Sequence, residues 1–161
     1  MDSSSLLLTL SQLAVGLTGF SAIIVALNPL QIRKWSTKDK LNLRALVQVS
    51  AFVITFSLLP FLLAILLPQE EVWLYALWIY GCVHILDVSN VLFRLTKDIS
   101  KVFRMSVYVG VTVALSQLAV AAFGNAQIRE FAYVTALIWQ LSVVFMGFIL
   151  LLYQGGRSND T

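Results

Sequence analysis

The side chains best suited to proton or ion chemistry lie together in one apolar stretch near the middle of the chain. His84, Asp87 and Asn90 follow one another at intervals of three, so a helix would carry them on roughly one face. An imidazole beside a carboxylate can exchange a proton, and a carboxylate within a membrane attracts cations. The spacing therefore favours a proton or cation path in which Asp87 carries the ion and His84 exchanges protons with it.

A purely structural role explains the same three residues. Asp87 can pair with Arg94, about two turns further along the helix, or with a basic residue of another helix, and His84 can bond Asp87 or a backbone carbonyl. An ionisable side chain at membrane depth costs at least about 2.5–3.5 kcal/mol on insertion scales, so in both interpretations it should face protein or water. The sequence leaves the two interpretations open.

Other kinds of chemistry lack the residues they need. The chain contains one histidine and one cysteine, Cys82, which are too few for a Cys/His metal site or an internal disulfide. It has no His-Glu-x-x-His or Gly-x-Ser-x-Gly motif and no glycine-rich phosphate loop. We therefore predict that the protein is not an enzyme and uses no metal and no cofactor.

The composition indicates a membrane environment. Of the 161 residues, 59% are hydrophobic and 12% are charged, about half the charged fraction of an ordinary soluble domain. A core of this size cannot bury so much apolar side chain, so lipid is the predicted solvent for the rest. The net charge is +3, but the eleven Lys and Arg residues occur in short runs between apolar stretches. That distribution is typical of membrane topology signals and not of a nucleic-acid-binding groove.

Five apolar stretches reach or approach the roughly 20 residues that cross a bilayer. Helices are predicted because lipid offers the backbone no hydrogen bonds, and the short alternating segments of a barrel are missing. The predicted fold class is an all-α integral membrane protein, with one transmembrane helical bundle over residues 1–161 and no soluble domain. The predicted spans are residues 6–27, 41–67, 72–93, 105–123 and 131–153.

Residues at the ends of these stretches support the boundaries. Residues 36–39 resemble a capping box that opens the second helix. Pro68 ends that helix, and Glu70 and Glu71 then fall in the first turn of the third, where the helix dipole favours acidic groups. Pro60 lies inside the second helix and should kink it.

The basic residues predict the orientation of the bundle. With five spans, ten of the eleven Lys and Arg lie on one side of the membrane and only Arg129 lies on the other. The positive-inside rule makes the basic side cytoplasmic, with the N-terminus outside and the C-terminus inside a bacterial inner (plasma) membrane. A basic face of this kind attracts anionic lipid or docks an acidic partner. The predicted cytoplasmic basic face comprises Arg33, Lys34, Lys38, Lys40, Arg44, Arg94, Lys97, Lys101 and Arg104.

Amide and small side chains predict close helix packing. Small residues let helices approach one another, and amides bond across helices for about 0.6–2 kcal/mol. In the alternative, the amides complete a hydrophilic seam with His84 and Asp87, within the bundle or on an oligomer axis. The predicted packing residues are Gln12, Gly16, Gly19, Gln48, Gln117 and Gln140, with a further row of Ser106, Gly110 and Ala114.

Segments near both ends of the chain resemble a family of small bacterial multi-spanning membrane proteins. The matching segments are LTGFSAIIVAL (17–27), WSTKDKLNLRAL (35–46), SLLP (57–60), IWQL (138–141) and GF (147–148). The family pairs a first helix of the GFS type with a Trp-Ser-x-x-Asp-x-Leu-x-Leu-Arg-x-Leu sequence that leads into the second helix. The resemblance implies a bacterial membrane protein; the family has no assigned function, so none is implied.

Two functions from different classes follow from these observations. The first is a homo-oligomeric proton or cation channel, with the polar face of the third helix along the path. The second is a non-catalytic membrane scaffold or accessory subunit of a larger membrane complex, in which the polar residues only hold helices together. Both predict contact with the lipid bilayer and with further copies or a membrane-protein partner, and neither involves nucleic acid.

Overall fold

The computed structural model describes residues 3–27, 37–93 and 101–157, and apart from two short turns all of these residues are helical. The predicted all-α fold is therefore confirmed for the described chain. Its five helices are α1 (Ser3–Leu27), α2 (Thr37–Leu66), α3 (Gln69–Phe93), α4 (Lys101–Phe123) and α5 (Ala126–Arg157).

Each helix begins a few residues before the apolar run that predicted it. The largest difference is in α5, which begins at Ala126 instead of residue 131 and continues to Arg157. The apolar run marks only the part of a helix that lies in hydrocarbon, whereas the backbone stays helical beyond it, where polar side chains reach water. Hydropathy therefore located every helix and underestimated its length.

The connection between α2 and α3 agrees with the sequence prediction. Helix α2 ends at Leu66, directly before Leu67 and Pro68, and the backbone N–H of Glu71 donates to Pro68 O at 2.9 Å. Glu70 and Glu71 occupy the first turn of α3 and are exposed. Acidic side chains at this position complement the positive end of the helix dipole.

The helices form two compact units. The central unit, Leu58–Leu137, contains the end of α2, all of α3 and α4, and the start of α5. The terminal unit contains Met1–Ser57 and Ile138–Thr161, and so includes α1 and the remaining parts of α2 and α5. The single bundle over residues 1–161 stays a prediction.

Small residues and self-bonded hydroxyls make up part of the core of the terminal unit. Leu46 on α2 lies against Gly147 on α5, where a Cβ atom on the glycine would be 3.6 Å from Leu46 Cδ1. Ser50 Oγ donates to Leu46 O at 2.8 Å, and Ser21 Oγ donates to Leu17 O at 2.7 Å. Because each hydroxyl bonds a carbonyl one turn back, both serines can be buried in apolar helices.

Large apolar side chains cover the outside of the helices. Phe123 is 91% exposed, and Ile65 and Leu66 are each 79% exposed. At most 39% of the apolar window of any candidate span is buried, and the remaining residues are half-buried or exposed. Among the described residues, four helices contain segments long and apolar enough, by length and composition, to cross a membrane, which is consistent with a multi-pass membrane protein. These segments are Ser3–Ile23, Leu43–Leu66, Gln69–Asn90 and Ala126–Leu150.

Candidate functional site

Helices α3 and α4 pack directly against each other in the central unit. Gly81 on α3 faces Leu118 on α4 so closely that a Cβ atom at position 81 would lie 2.7 Å from Leu118 Cδ2. Gly110 on α4 faces Val88 and His84, whose atoms would lie 3.4 and 3.7 Å from a Cβ atom at position 110. Position 81 on α3 meets position 118 on α4, whereas the later positions 84 and 88 meet the earlier position 110. The two helices therefore run antiparallel.

His84 lies at the centre of this helix pair. Its side chain is 1% exposed, and its Nδ1 atom is 3.4 Å from Oε1 of Gln117, which is itself 2% exposed. An amide oxygen can only accept a hydrogen bond, so this contact requires the histidine tautomer that carries its proton on Nδ1. The imidazole therefore donates from α3 to α4.

Two buried tyrosines extend the polar core from His84 to α5. The Tyr80 ring stacks on the His84 ring, with centroids 5.5 Å apart and planes inclined by 18°. Tyr80 OH donates to Ala136 O at 3.5 Å, and its ring meets Tyr133 in a T-shaped pair at 5.4 Å. Trp73 in turn contacts Tyr133 at 5.8 Å. Three helices thus meet around one aromatic and amide cluster.

A short capped turn positions the start of α5 beside the end of α4. Asn125 Oδ1 accepts a hydrogen bond of 2.9 Å from the backbone N–H of Ile128, which is an N-cap arrangement. Arg129 Nε donates to Ala121 O at 3.2 Å and so satisfies a carbonyl near the C-terminus of α4. The side chain of Arg129 is therefore part of the helix connection.

The three residues of the predicted polar face differ in their exposure. His84 is buried, Asp87 is half-buried and Asn90 is exposed. The structure joins His84 to Gln117 on another helix. Arg94 lies outside the described residues, so its pairing with Asp87 stays a prediction.

The predicted packing residues divide into two groups. Gln117 and Gln140 are buried, whereas Gln12 and Gln48 are exposed in the described part of the chain. Hydropathy shows that a helix is surrounded by apolar material but not which face meets protein. Gly16 and Gly19 on α1 likewise have no atom of a neighbouring element within 4 Å of a Cβ atom built on them. Their predicted packing is not made within the described chain.

The row of small residues on α4 does face a neighbouring helix. Gly110 and Ala114 are buried, and Gly110 contacts α3 as described above. The row leads to Gln117, whose Nε2 atom is buried with no hydrogen-bond partner among the described residues. The side chain of Ser106 lies outside the described part of the structure.

The predicted basic face is described only at the start of α2. Lys40 and Arg44 are both exposed there. Lys38, Lys101 and Arg104 belong to the first turns of α2 and α4, and their side chains are not among those described. The remaining members lie outside the described residues: Arg33, Lys34, Arg94 and Lys97.

The side-chain contacts between the described helices hold those helices together and do not form a cluster of metal ligands. Within residues 3–27, 37–93 and 101–157, no three His, Cys, Asp or Glu side chains come together as metal ligands would. Cys82 is exposed and unpaired with any other cysteine. The chemistry that these contacts supply is hydrogen bonding and aromatic packing between α3, α4 and α5.

Sequence reasoning missed three residues of the cluster. Tyr80 and Tyr133 are fully buried, and Gly81 permits the closest approach between α3 and α4. The available signal was Tyr80, which precedes His84 by one helical turn and so shares its face. Nothing in the spacing pointed to Tyr133, which meets Tyr80 only through the fold. Comparison of the chain with protein-family models, with curated proteins and with solved structures found no match.

Proposed function

We propose that the protein is a non-catalytic membrane subunit, a scaffold or accessory component of a larger assembly, whose internal polar residues hold its helices together. The burial of His84 is the observation that supports this most. The imidazole is 1% exposed, bonds Gln117 and stacks on Tyr80. A side chain enclosed in this way offers no surface to a hydrated ion, so its main contribution is to helix packing.

The proposal includes five spans, with α4 as the fifth. The apolar segment of α4, Val107–Phe123, is shorter than the other four. At 1.5 Å per residue such a segment is about 25 Å long, close to the roughly 30 Å thickness of the hydrocarbon core. Its antiparallel packing against α3, which contains a full candidate span, supports placing both helices in the same layer.

The proposed orientation has the N-terminus outside and the C-terminus in the cytoplasm. If α3, α4 and α5 each cross the membrane, α3 and α5 run in the same direction and begin on the same side. In the central unit, Trp73 near the start of α3 contacts Tyr133 near the start of α5, which agrees with this arrangement. The exposed Glu70 and Glu71 lie at that same end of α3. The antiparallel α4 begins at the opposite end, with the basic Lys101 as its first residue. This separation of charge supports a basic cytoplasmic side.

A homo-oligomeric proton or cation channel is the second candidate, and one observation favours it. Asn90 is exposed and Asp87 is only half-buried, although both lie within the apolar segment Gln69–Asn90. Polar side chains at the surface of a spanning helix need protein or water beside them. In an oligomer, these two residues would meet the next copy and line a path outside the buried His84 core.

Flux into liposomes separates the two candidates. Purified wild-type protein and the Asp87→Asn variant are reconstituted, and proton and cation uptake are measured under an imposed potential. A scaffold or accessory subunit gives no more flux than protein-free liposomes. Flux that disappears in Asp87→Asn, while the detergent-solubilised protein keeps its oligomeric state, would reject the subunit proposal in favour of the channel.

A further inference from the structure

The start of α2 exposes two basic side chains that the described part of the chain does not neutralise. Lys40 and Arg44 lie one helical turn apart on the same face, and both are exposed. Neither forms an ion pair or hydrogen bond with another described residue. Like charges one turn apart repel, so an anion beside this pair stabilises both.

Two exposed apolar side chains, with the exposed amide of Gln48 beside them, continue the same face of α2 in the direction of the membrane. Val47 and Ala51 follow Arg44 at helical spacing and are exposed, Val47 to 45%. The candidate span begins at Leu43, so Arg44 lies at its polar edge and the two apolar side chains lie within it. Arg44 and Ala51 are seven residues apart, about 10 Å along the helix axis. A pair of cations is thus followed, over roughly that length, by two exposed apolar side chains that flank the amide of Gln48.

We propose that this face of α2, formed by Lys40, Arg44, Val47 and Ala51, binds an anionic phospholipid. The guanidinium and ammonium groups donate to the headgroup phosphate, with Arg44 able to bind two phosphate oxygens at once. The first part of an acyl chain lies along Val47 and Ala51. Charge complementarity selects an anion, and the adjoining apolar side chains select a lipid over a soluble anion. The inference rests on the proposed function, because it requires α2 to span the membrane.

A diffuse attraction between the basic side of the protein and an anionic leaflet is the competing explanation. It depends on the number of basic residues near the surface and not on their position. The chain supplies a matched control, because Lys101 and Arg104 carry the same charge at the start of α4 and are predicted to lie on the same side. A specific site depends on Lys40 and Arg44 alone.

Native mass spectrometry of the full-length protein in a non-ionic detergent tests the proposal. Bound phosphatidylglycerol is counted against phosphatidylcholine with the same acyl chains, for the wild type, Lys40→Gln/Arg44→Gln and Lys101→Gln/Arg104→Gln. The first double variant loses the charge-assisted hydrogen bonds to the phosphate, so it should bind phosphatidylglycerol more weakly, by roughly tenfold or more. The second should retain the wild-type preference.

Several outcomes would overturn the site. Equal phosphatidylglycerol binding by the wild type and Lys40→Gln/Arg44→Gln would show that these two side chains do not form a lipid site. An equal loss in Lys101→Gln/Arg104→Gln would assign the preference to diffuse attraction. Displacement of the lipid by inorganic phosphate at the same concentration would assign the face to a soluble anion. Failure of the part of the proposed function on which the site depends, a membrane-spanning α2, is distinguishable, because a chain that does not span the membrane would be released from it by alkaline carbonate.

Discussion

Gln117 Oε1 on α4 lies 3.4 Å from His84 Nδ1 on α3, and the two side chains are 2% and 1% exposed. Apolar surfaces alone select a partner helix weakly in lipid, because lipid tails are as apolar as leucine. A side-chain hydrogen bond between two helices is directional, so it fixes which face of α3 meets α4. Gln117 Nε2 has no partner among the described residues, so the amide contributes to this pairing through its oxygen.

Removing either member of the His84–Gln117 pair should destabilise the protein. We expect His84→Ala and Gln117→Ala each to lower the free energy of unfolding by about 1–3 kcal/mol, through the lost bond and the lost packing. A double-mutant cycle isolates the bond itself and should give a coupling energy of about 0.6–1.7 kcal/mol. Unfolding by sodium dodecyl sulfate in mixed micelles provides the measurement.

The exposed amide Gln12 supplies the control for this cycle. Gln12→Ala makes the same substitution on a side chain that faces outward from α1, so the unfolding free energy should change by less than about 0.5 kcal/mol. A coupling energy near zero between His84 and Gln117 would mean that their contact does not hold α3 against α4. The proposed structural role of the histidine would then be lost.

The close approach at Gly81 should be sensitive to a single methyl group. In Gly81→Ala the new Cβ atom would lie 2.7 Å from Leu118 Cδ2 and 3.2 Å from Leu118 Cγ, so the leucine must move. Because only the end of the half-buried Leu118 side chain has to shift, we expect a loss of up to about 1 kcal/mol in the free energy of unfolding, measured in the same micelle titration. Leu118→Ala in the same chain should recover part of that loss.

Two other glycines calibrate the Gly81 result. At Gly110 a Cβ atom would make only ordinary contacts of 3.4 and 3.7 Å, so Gly110→Ala should be tolerated. At Gly16 nothing lies within 4 Å, and Gly16→Ala should leave stability unchanged or raise it by up to about 1 kcal/mol through helix propensity. If all three substitutions behaved alike, the predicted close contact between α3 and α4 would be wrong.

The sequence predicted the helices more completely than the site for a physical reason. Each helix is encoded locally, by an apolar run and by terminal residues such as Pro68, Glu70 and Glu71. The face of a helix that meets protein depends instead on residues far away in the chain. His84 and Gln117 are 33 positions apart, and Tyr80 and Ala136 are 56 apart.

Lipid also removes the pattern that would normally reveal the inner face of a helix. In a soluble protein the outer face is polar, so Gln12 would be assigned to the surface and Leu13 to the core. Here Leu13 is exposed as well as Gln12, because an apolar side chain on the outer face of a helix is compatible with lipid. The burial of Gln117 and the exposure of Gln12 therefore required the structure.

The proposed five-span topology predicts a specific pattern of cysteine labelling. In a Cys82→Ala background, a cysteine replacing exposed Gln127 should react with a membrane-impermeant maleimide on intact bacterial cells. A cysteine replacing Thr37 at the start of α2 should react only after the membrane is permeabilised. The reverse labelling pattern would mean that the orientation is opposite to the one proposed. Reaction of both from the same side would mean that α2, α3 and α4 do not all cross the membrane, with the shorter α4 the first to test.

The turn between α4 and α5 should depend on Asn125 and Arg129 for stability but not for orientation. Asn125→Ala removes the bond of 2.9 Å to the Ile128 N–H and should cost about 1 kcal/mol in the free energy of unfolding. Arg129→Gln removes the bond of 3.2 Å to Ala121 O and should cost about 0.5–1.5 kcal/mol. Exposed Gln127→Ala, in the first turn of α5, is the control and should change little.

The Arg129→Gln variant also tests whether Arg129, the single basic residue on the predicted outer side, influences the orientation of the protein in the membrane. The guanidinium of Arg129 donates a hydrogen bond to a carbonyl near the end of α4, so the charged group is engaged within the turn. Neutralising it should therefore leave the labelling of positions 37 and 127 unchanged, while the micelle titration shows the lower stability. Altered labelling without a change in stability would show that Arg129 acts as a topology signal, and its contact with α4 would then be incidental.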